Sequence, residues 1–265
     1  MAELPINIID ETGQIIISRS PKNDYYLLTF KFAPDNRLTT RSIGAFMRAL
    51  DVVEQNLLPE NPLPLVTTSA ILKFYSNGLD LEAATTVPGF WDDTLYPFFK
   101  RLLTFPTPCI ALINGHAFAG GLMVAMCQDY RIMNPKRGFL CLNELDLGVG
   151  LKAPMASIFR DKVGKPQMLR KLVLESARFT ATEAVTNNLV DATGELDSVS
   201  SFITERGIIR IAQSPSYGLL KRELWRNTIE LCDTLNDFDE VRRDASMRLD
   251  DVRLSKRQRE WASKL

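Results

Sequence analysis

The chain has 265 residues, 45% of them hydrophobic, which is enough to bury a large core and excludes a disordered polymer. Lys plus Arg and Asp plus Glu both number 32, so the net charge is zero. No basic stripe marks a nucleic-acid or anionic membrane surface, and the expected partner is a small molecule or another protein.

Taken in chain order, the opening "MAELPINIID" lacks the basic and apolar pattern of a secretory signal, so secretion is not expected. "QIIISRS" (14–20) and "YYLLTFKF" (25–32) predict two strands joined by a "PKND" turn. "TTRSIGAFMRALDVVEQNL" (39–57) predicts a helix behind a threonine cap, with Ile43, Phe46, Met47, Leu50 and Val53 on one face. "LPLVTT" and "CIALI" read as short buried strands, and "WDDTLYPFFKRLL" between them as a helix interrupted by Pro97. "YRIM" and "GFLCL" predict two more strands, and "TATEAVTNNLV" opens on a capping box from Thr180 to Glu183. This alternation predicts an α/β core with helices stacked on strands.

After about Asp197 no good strand follows. The segments "ITERGIIRIAQ", "YGLLKRELWRNTIELC" and "DEVRRDASMRLDDVRLSKRQREW" are amphipathic and charged, so residues 1–196 are read as the core and 197–265 as a helical C-terminal module. The last segment is polar enough to need a partner chain for stability. The sequence closes on Ser263-Lys264-Leu265, a tripeptide that the peroxisomal import receptor reads at a C-terminus, so a peroxisomal address is expected.

Chemistry is first bounded by what is missing. One histidine and four scattered cysteines (Cys109, Cys127, Cys141, Cys232) without a CxxC pair argue against a metal site and for buried, reduced thiols. No GxSxG elbow or phosphate loop occurs. "GVGLKA" (148–153) fits G-x-G-x-x-A but lacks the strand, helix and acidic residue that a dinucleotide site needs. His116 has no paired Ser or Cys and is read as a packing or loop-orienting residue.

The stretch from Cys109 to Cys127 carries no formal charge over nineteen residues, as a membrane span would, yet Asn114-Gly115-His116 and Gly120-Gly121 interrupt it. It parses better as a strand, a glycine loop and a buried helix opening at "LMVAM", an order that aims backbone N–H groups at an anion. "FYSNGLDLEA" likewise places a glycine turn after the strand "LPLVTT". Ligands bind at such strand ends in open α/β sheets.

Three motifs in this order, "FYSNGLDL" (74–81), "INGHAFAGGLMVAM" (113–126) and "GFLCLNELDLGV" (138–149), resemble the crotonase, or enoyl-CoA hydratase/isomerase, family, and most of all its Δ3,Δ2-enoyl-CoA isomerases. The resemblance runs from about residue 24 to residue 193. It implies a spiral of β-β-α repeats followed by helices that assemble trimers or hexamers. It implies an acyl-CoA thioester as substrate, with coenzyme A as part of that substrate and no separate cofactor.

By motif position, the backbone N–H groups of Leu79 and Gly120 would face the thioester oxygen, where they would stabilise the charge of an enolate. Glu144 would be the base, with a pKa raised by its apolar flanks. Asp146, two residues on, would share its face on a strand and is a rival. Hydratases carry a second glutamate where this chain has Met123, so the water-activating pair is broken. Arg37, Asn77 and Gly78 are candidates for contact with the substrate, Arg37 at the CoA phosphate. The implied activity is conversion of 3-enoyl-CoA to trans-2-enoyl-CoA in β-oxidation. Hydration, thioester hydrolysis and non-catalytic acyl-CoA binding remain as alternatives.

Overall fold

The structure, a computed structural model, describes residues 3–234 together with 252, 253 and 256. The Ser263-Lys264-Leu265 tripeptide and most of the last predicted segment lie outside the described residues. No helix among the described residues is long and apolar enough to cross a membrane.

A seven-stranded sheet forms the floor of the fold. Strands β1 (Ile6–Asp10), β2 (Gly13–Arg19) and β3 (Tyr26–Phe32) run antiparallel, and β4 (Leu65–Ser69) then pairs parallel to β3. β1 answers no prediction, because "INIID" alternates weakly and ends in a turn. Between β3 and β4 lies α1 (Thr40–Val52), closed at its start by Thr39 and Ser42 in a reciprocal capping box. It buries Ile43, Phe46 and Leu50 of the helical stripe read from the sequence, together with Ala49, while Met47 is only half-buried.

From β4 onward the chain repeats one unit: a strand in the floor, a short strand in a second sheet, then a helix. The first unit is β4, β5 (Phe74–Ser76) and α2 (Leu81–Thr86), after which a π-helical stretch, Phe90–Leu95, leads into α3 (Tyr96–Leu103). Pro97 therefore sits in the first turn of α3, where its missing N–H costs nothing, and the helical geometry changes just before it. The second unit is β6 (Cys109–Ile113), β7 (His116–Phe118) and α4 (Gly120–Cys127). The third is β8 (Tyr130–Met133), β9 (Leu140–Cys141) and α5 (Glu144–Leu147). The floor runs β1-β2-β3-β4-β6-β8-β10, where β10 is Ala192–Thr193, and the second sheet runs β5-β7-β9, all parallel.

Both faces of the inner floor strands are covered, which is why "CIALI" reads as an unbroken apolar run. Cys109, Ala111 and Ile113 join the main core; Ile110 and Leu112 join a second core on the other face with Val199, Phe202, Ile203 and Ile208. Helices α6 (Ala153–Lys162), α7 (Pro166–Leu174) and α8 (Ala181–Thr186) precede β10, and α8 has the predicted Thr180–Glu183 capping box. Beyond β10 the described chain is helical: α9 (Val199–Glu205), α10 (Ile208–Ala212), α11 (Tyr217–Leu224) and α12 (Arg226–Thr234). These helices return to the same cores. Cys232 of α12 is buried in the main core, and Thr228 bridges α12 to α6 through Ser157 (2.6 Å) and Asp161 (2.6 Å). All four cysteines are free and buried.

Candidate active site

The small sheet explains why three motifs far apart in sequence meet. β5, β7 and β9 lie side by side and point the same way, so the residues that follow each of them emerge at one rim. Those residues are Asn77–Asp80, Ala119–Gly121 and Asn143–Glu144. The sequence reading had each glycine loop directly after a floor strand and "NGHAFAGG" as a loop throughout. The structure instead interposes β5 and β7, starts α4 at Gly120, and shortens the predicted "GFLCL" strand to Leu140–Cys141. Two- and three-residue strands carry too little periodicity to be read.

At the second of these turns Ala119 has φ 47° and ψ −122°, a strained conformation for a residue with a side chain. The Ala119 N–H donates to the Cys141 carbonyl at 2.9 Å, and its own carbonyl accepts from Met123 N–H at 3.1 Å, so the strained peptide is held on both sides. Such strain costs about 1–3 kcal/mol. Every residue of α4 is buried, and each fully buried Leu, Val or Met returns about 1.5–3 kcal/mol, so packing wins easily.

The strain turns the chain so that the Gly120 N–H opens α4 against the first turn. Gly78, at φ +87°, makes the approach possible: a Cβ there would lie 2.9 Å from the Phe118 carbonyl and 3.1 Å from the Gly120 nitrogen. A Cβ built on Gly120 would lie 3.2 Å from the Leu79 nitrogen. The Leu79 and Gly120 amides are therefore neighbours, as the motif positions implied. Neither N–H has an acceptor among the described residues. Two adjacent unpaired donors, one at the positive end of a buried helix, form a site for developing negative charge.

Glu144 opens α5 on the third turn, and its carboxylate is buried with Oε2 lacking any hydrogen-bond donor among the described residues. Burial pushes its pKa up to about 7, against a smaller lowering by its own backbone N–H. The neighbouring Asn143 Oδ1 is also buried and unpaired. Asp146 fares differently from the strand-based expectation that made it a rival. The segment is a helical turn, residues two apart on a helix do not share a face, and Asp146 is exposed.

Met123 sits one turn into α4, 1% exposed. His116 has the orienting role expected of it. Its Nδ1 accepts the Phe139 N–H at 3.2 Å, and its ring stacks on Phe139 at 5.6 Å. Burial, with Lys73 and Arg178 nearby, lowers its pKa and keeps that nitrogen free to accept.

The three proposed substrate contacts are engaged with one another's loops. Arg37 Nη1 donates to the Leu79 carbonyl at 3.0 Å and Nε to Asp35 Oδ2 at 3.1 Å, and Asn77 Nδ2 donates to the same Asp35 oxygen at 2.7 Å. The Gly78 carbonyl accepts the Leu38 N–H at 2.8 Å. Sequence reasoning missed Ala119, Asp35 and the buried Asn36, whose side chain ties Phe32, Ser69 and Tyr75 together. The turn-forming "PDN" was the one available signal for the latter two. A surface hollow of about 390 Å³ bordered by Asp10, Glu11, Arg41 and Arg48 lies elsewhere and contains none of these groups.

Over residues 27–217 the chain matches the Enoyl-CoA hydratase/isomerase family. Enoyl-CoA delta isomerase 1, peroxisomal, of Arabidopsis thaliana is 32% identical over 182 residues, covering 66% of this chain and 75% of that protein. Enoyl-CoA delta isomerase 2, peroxisomal, of the same plant is 29% identical over 197 residues, covering 71% and 78%. The human mitochondrial delta3-delta2-enoyl-CoA isomerase has the same fold, with a TM-score of 0.69 at 20% identity over 91% of this chain and 99% of that one.

Proposed function

The chain belongs to the enoyl-CoA hydratase/isomerase family, and from that premise we propose that it isomerises 3-enoyl-CoA to trans-2-enoyl-CoA, which lets unsaturated fatty acids pass through β-oxidation. The observation that carries this reading is the buried Glu144 carboxylate at the same rim of the small sheet as a pair of unpaired N–H groups, with a methionine at position 123.

The thioester oxygen accepts from the Leu79 and Gly120 amides. The Glu144 carboxylate takes a proton from C2, and the electron pair moves into the thioester as a conjugated enolate that the two amides stabilise. The acid form of Glu144 then returns the proton at C4, and the double bond settles between C2 and C3. No water is consumed. One group must serve as base and then as acid, and a pKa near 7 suits both halves of that task.

Hydration needs a second group to activate water, and Met123 can neither take nor give a proton. Purified protein is expected to raise the absorbance of the conjugated enoyl thioester when given 3-enoyl-CoA. It should hydrate trans-2-enoyl-CoA at least roughly a hundredfold more slowly, the usual cost of a missing general base. Comparable rates for the two reactions would overturn the isomerase reading in favour of a hydratase.

The reaction is placed in the peroxisome, a reading supported by the printed names of two relatives and by the Ser263-Lys264-Leu265 tripeptide. Deleting the tripeptide from an N-terminally tagged protein is expected to leave it in the cytosol. Continued import would show that the tripeptide is not its address.

A further inference from the structure

Arg37 was read from the sequence as a contact for the CoA phosphate, but the structure gives its guanidinium other work. It reaches across 42 positions of sequence to the carbonyl of Leu79, the residue whose N–H is half of the unpaired donor pair.

The hydrogen bonds around Leu79 form a consistent set. The peptide before it is fixed by the Gly78 carbonyl, which accepts the Leu38 N–H at 2.8 Å. A trans peptide holds its C=O and N–H on opposite sides, so fastening that carbonyl to Leu38 turns the Leu79 N–H away from Leu38, and the Leu79 nitrogen lies 3.2 Å from where a Cβ on Gly120 would be. The peptide after it is fixed twice. Its carbonyl accepts from Arg37 Nη1 at 3.0 Å, and its N–H, on Asp80, donates to the Leu38 carbonyl at 3.2 Å. The 35–38 strap is in turn bound to the loop by Asn77, which donates through its backbone to the Asp35 carbonyl (3.0 Å) and through its side chain to Asp35 Oδ2 (2.7 Å). Asp35 Oδ2 also receives Arg37 Nε, so one carboxylate oxygen gathers both side chains.

Leu79 itself has no side-chain group that could hold its backbone, and Gly78 just before it is the most permissive residue available. Without Arg37, the peptide after Leu79 would keep only the 3.2 Å bond from the Asp80 N–H to the Leu38 carbonyl. We infer that Arg37, fastened to Asp35, is a positioning residue that braces the peptide after Leu79 and so steadies Leu79, whose own N–H the Leu38 bond to Gly78 has oriented, against the thioester oxygen. The inference rests on the proposed enolate chemistry at Leu79 and Gly120. It differs from phosphate binding in what it predicts: loss in the chemical step, not in recognition of the nucleotide end of the substrate. Charge-assisted bonds from a planar guanidinium give both anchor points at once, which a lysine cannot reproduce.

The test uses Arg37→Met and Arg37→Lys in the full chain, with 3-enoyl-CoA and its 3′-dephospho-CoA analogue as substrates. Arg37→Met is expected to lower kcat roughly ten- to hundredfold, the scale of a small misplacement of a reacting group, with KM little changed. The preference for the CoA ester over the dephospho ester should stay as in the wild type, and Arg37→Lys should recover part of kcat. A raised KM with unchanged kcat and a lost preference would overturn the inference and make Arg37 a phosphate contact. If Arg37→Met did not fold, Arg37→Lys and Asn77→Ala would decide, and unchanged kcat in both would overturn it. A second readout does not need turnover: binding of acetoacetyl-CoA, whose enolate absorbs in the near ultraviolet. Wild-type protein should enrich the bound enolate and Arg37→Met should not. A wild type with neither turnover nor an enolate band overturns the reading of the donor pair, whereas a band that Arg37→Met leaves intact overturns only the role of Arg37.

Discussion

Glu144→Gln is expected to lower kcat by roughly two to four orders of magnitude, the usual contribution of a general base, while acyl-CoA binding stays close to wild type. Glutamine keeps the shape and the hydrogen-bonding capacity of the side chain and removes only its ability to carry the proton from C2 to C4. The same substitution should not weaken the fold. Burial raises the pKa of folded Glu144 from its ordinary value of 4.5 to about 7. The native state therefore binds this proton more tightly than the unfolded chain, and the stability it adds is present below about pH 4.5 and lost as pH rises through 7. Glutamine is neutral at every pH and does not suffer that loss, so the melting temperature of Glu144→Gln relative to wild type should increase between pH 5 and pH 8. Asp146→Asn, at an exposed position, is the control and should keep most activity. If Glu144→Gln retained more than about a tenth of wild-type turnover, the base would have to be sought elsewhere.

Gly120→Ala should inactivate the protein by a different route, with kcat down by roughly 10²–10³-fold, the scale of one oxyanion contact, because a methyl would keep the oxygen away from N–H groups that both remain. The new methyl would sit 3.2 Å from the Leu79 nitrogen and 3.0 Å from two atoms of the Leu79 side chain, in the space between the two amides. The backbone tolerates it. Gly120 is not among the positive-φ residues, and alanine is the better helix former, so any loss of thermal stability should be confined to the cost of the few tenths of an ångström by which Leu79 must give. Gly121→Ala is a useful contrast, because its Cβ would fall 2.3 Å from the Ser76 carbonyl and the helix would have to move. That variant should lose stability as well as activity. Gly150→Ala meets nothing within 4 Å and should behave as wild type. A Gly120→Ala protein with a third of normal turnover would remove Gly120 from the site.

The comparison between sequence and structure divides along physical lines. The floor strands were legible where two-sided burial makes an unbroken apolar run, as in "CIALI", and α1 and α8 where a cap precedes a helical stripe. Leu79, Gly120 and Glu144 stood out because glycine turns and an acid among apolar neighbours are unusual local patterns, and the roles proposed for them come from the family resemblance. The strain at Ala119 was not, since alanine gives no sign of positive φ and only the packed helix behind it enforces the conformation. The ranking of Glu144 over Asp146 depends on whether four residues are helical or extended, and tertiary packing decides that. The role of Arg37 depends on two loops 42 positions apart meeting edge to edge, which no local pattern encodes.

The pH dependence of kcat/KM for 3-enoyl-CoA tests the central claim most directly, because it reports the ionisation of the free protein's essential groups. One buried carboxylate acting as base predicts a single limb that rises with pH, has its midpoint near 7, and stays flat above it. The residual activity of Glu144→Gln should lack that limb. A midpoint near the ordinary 4.5 of a solvated glutamate, or a bell whose alkaline side reveals a second essential acid, would contradict the account.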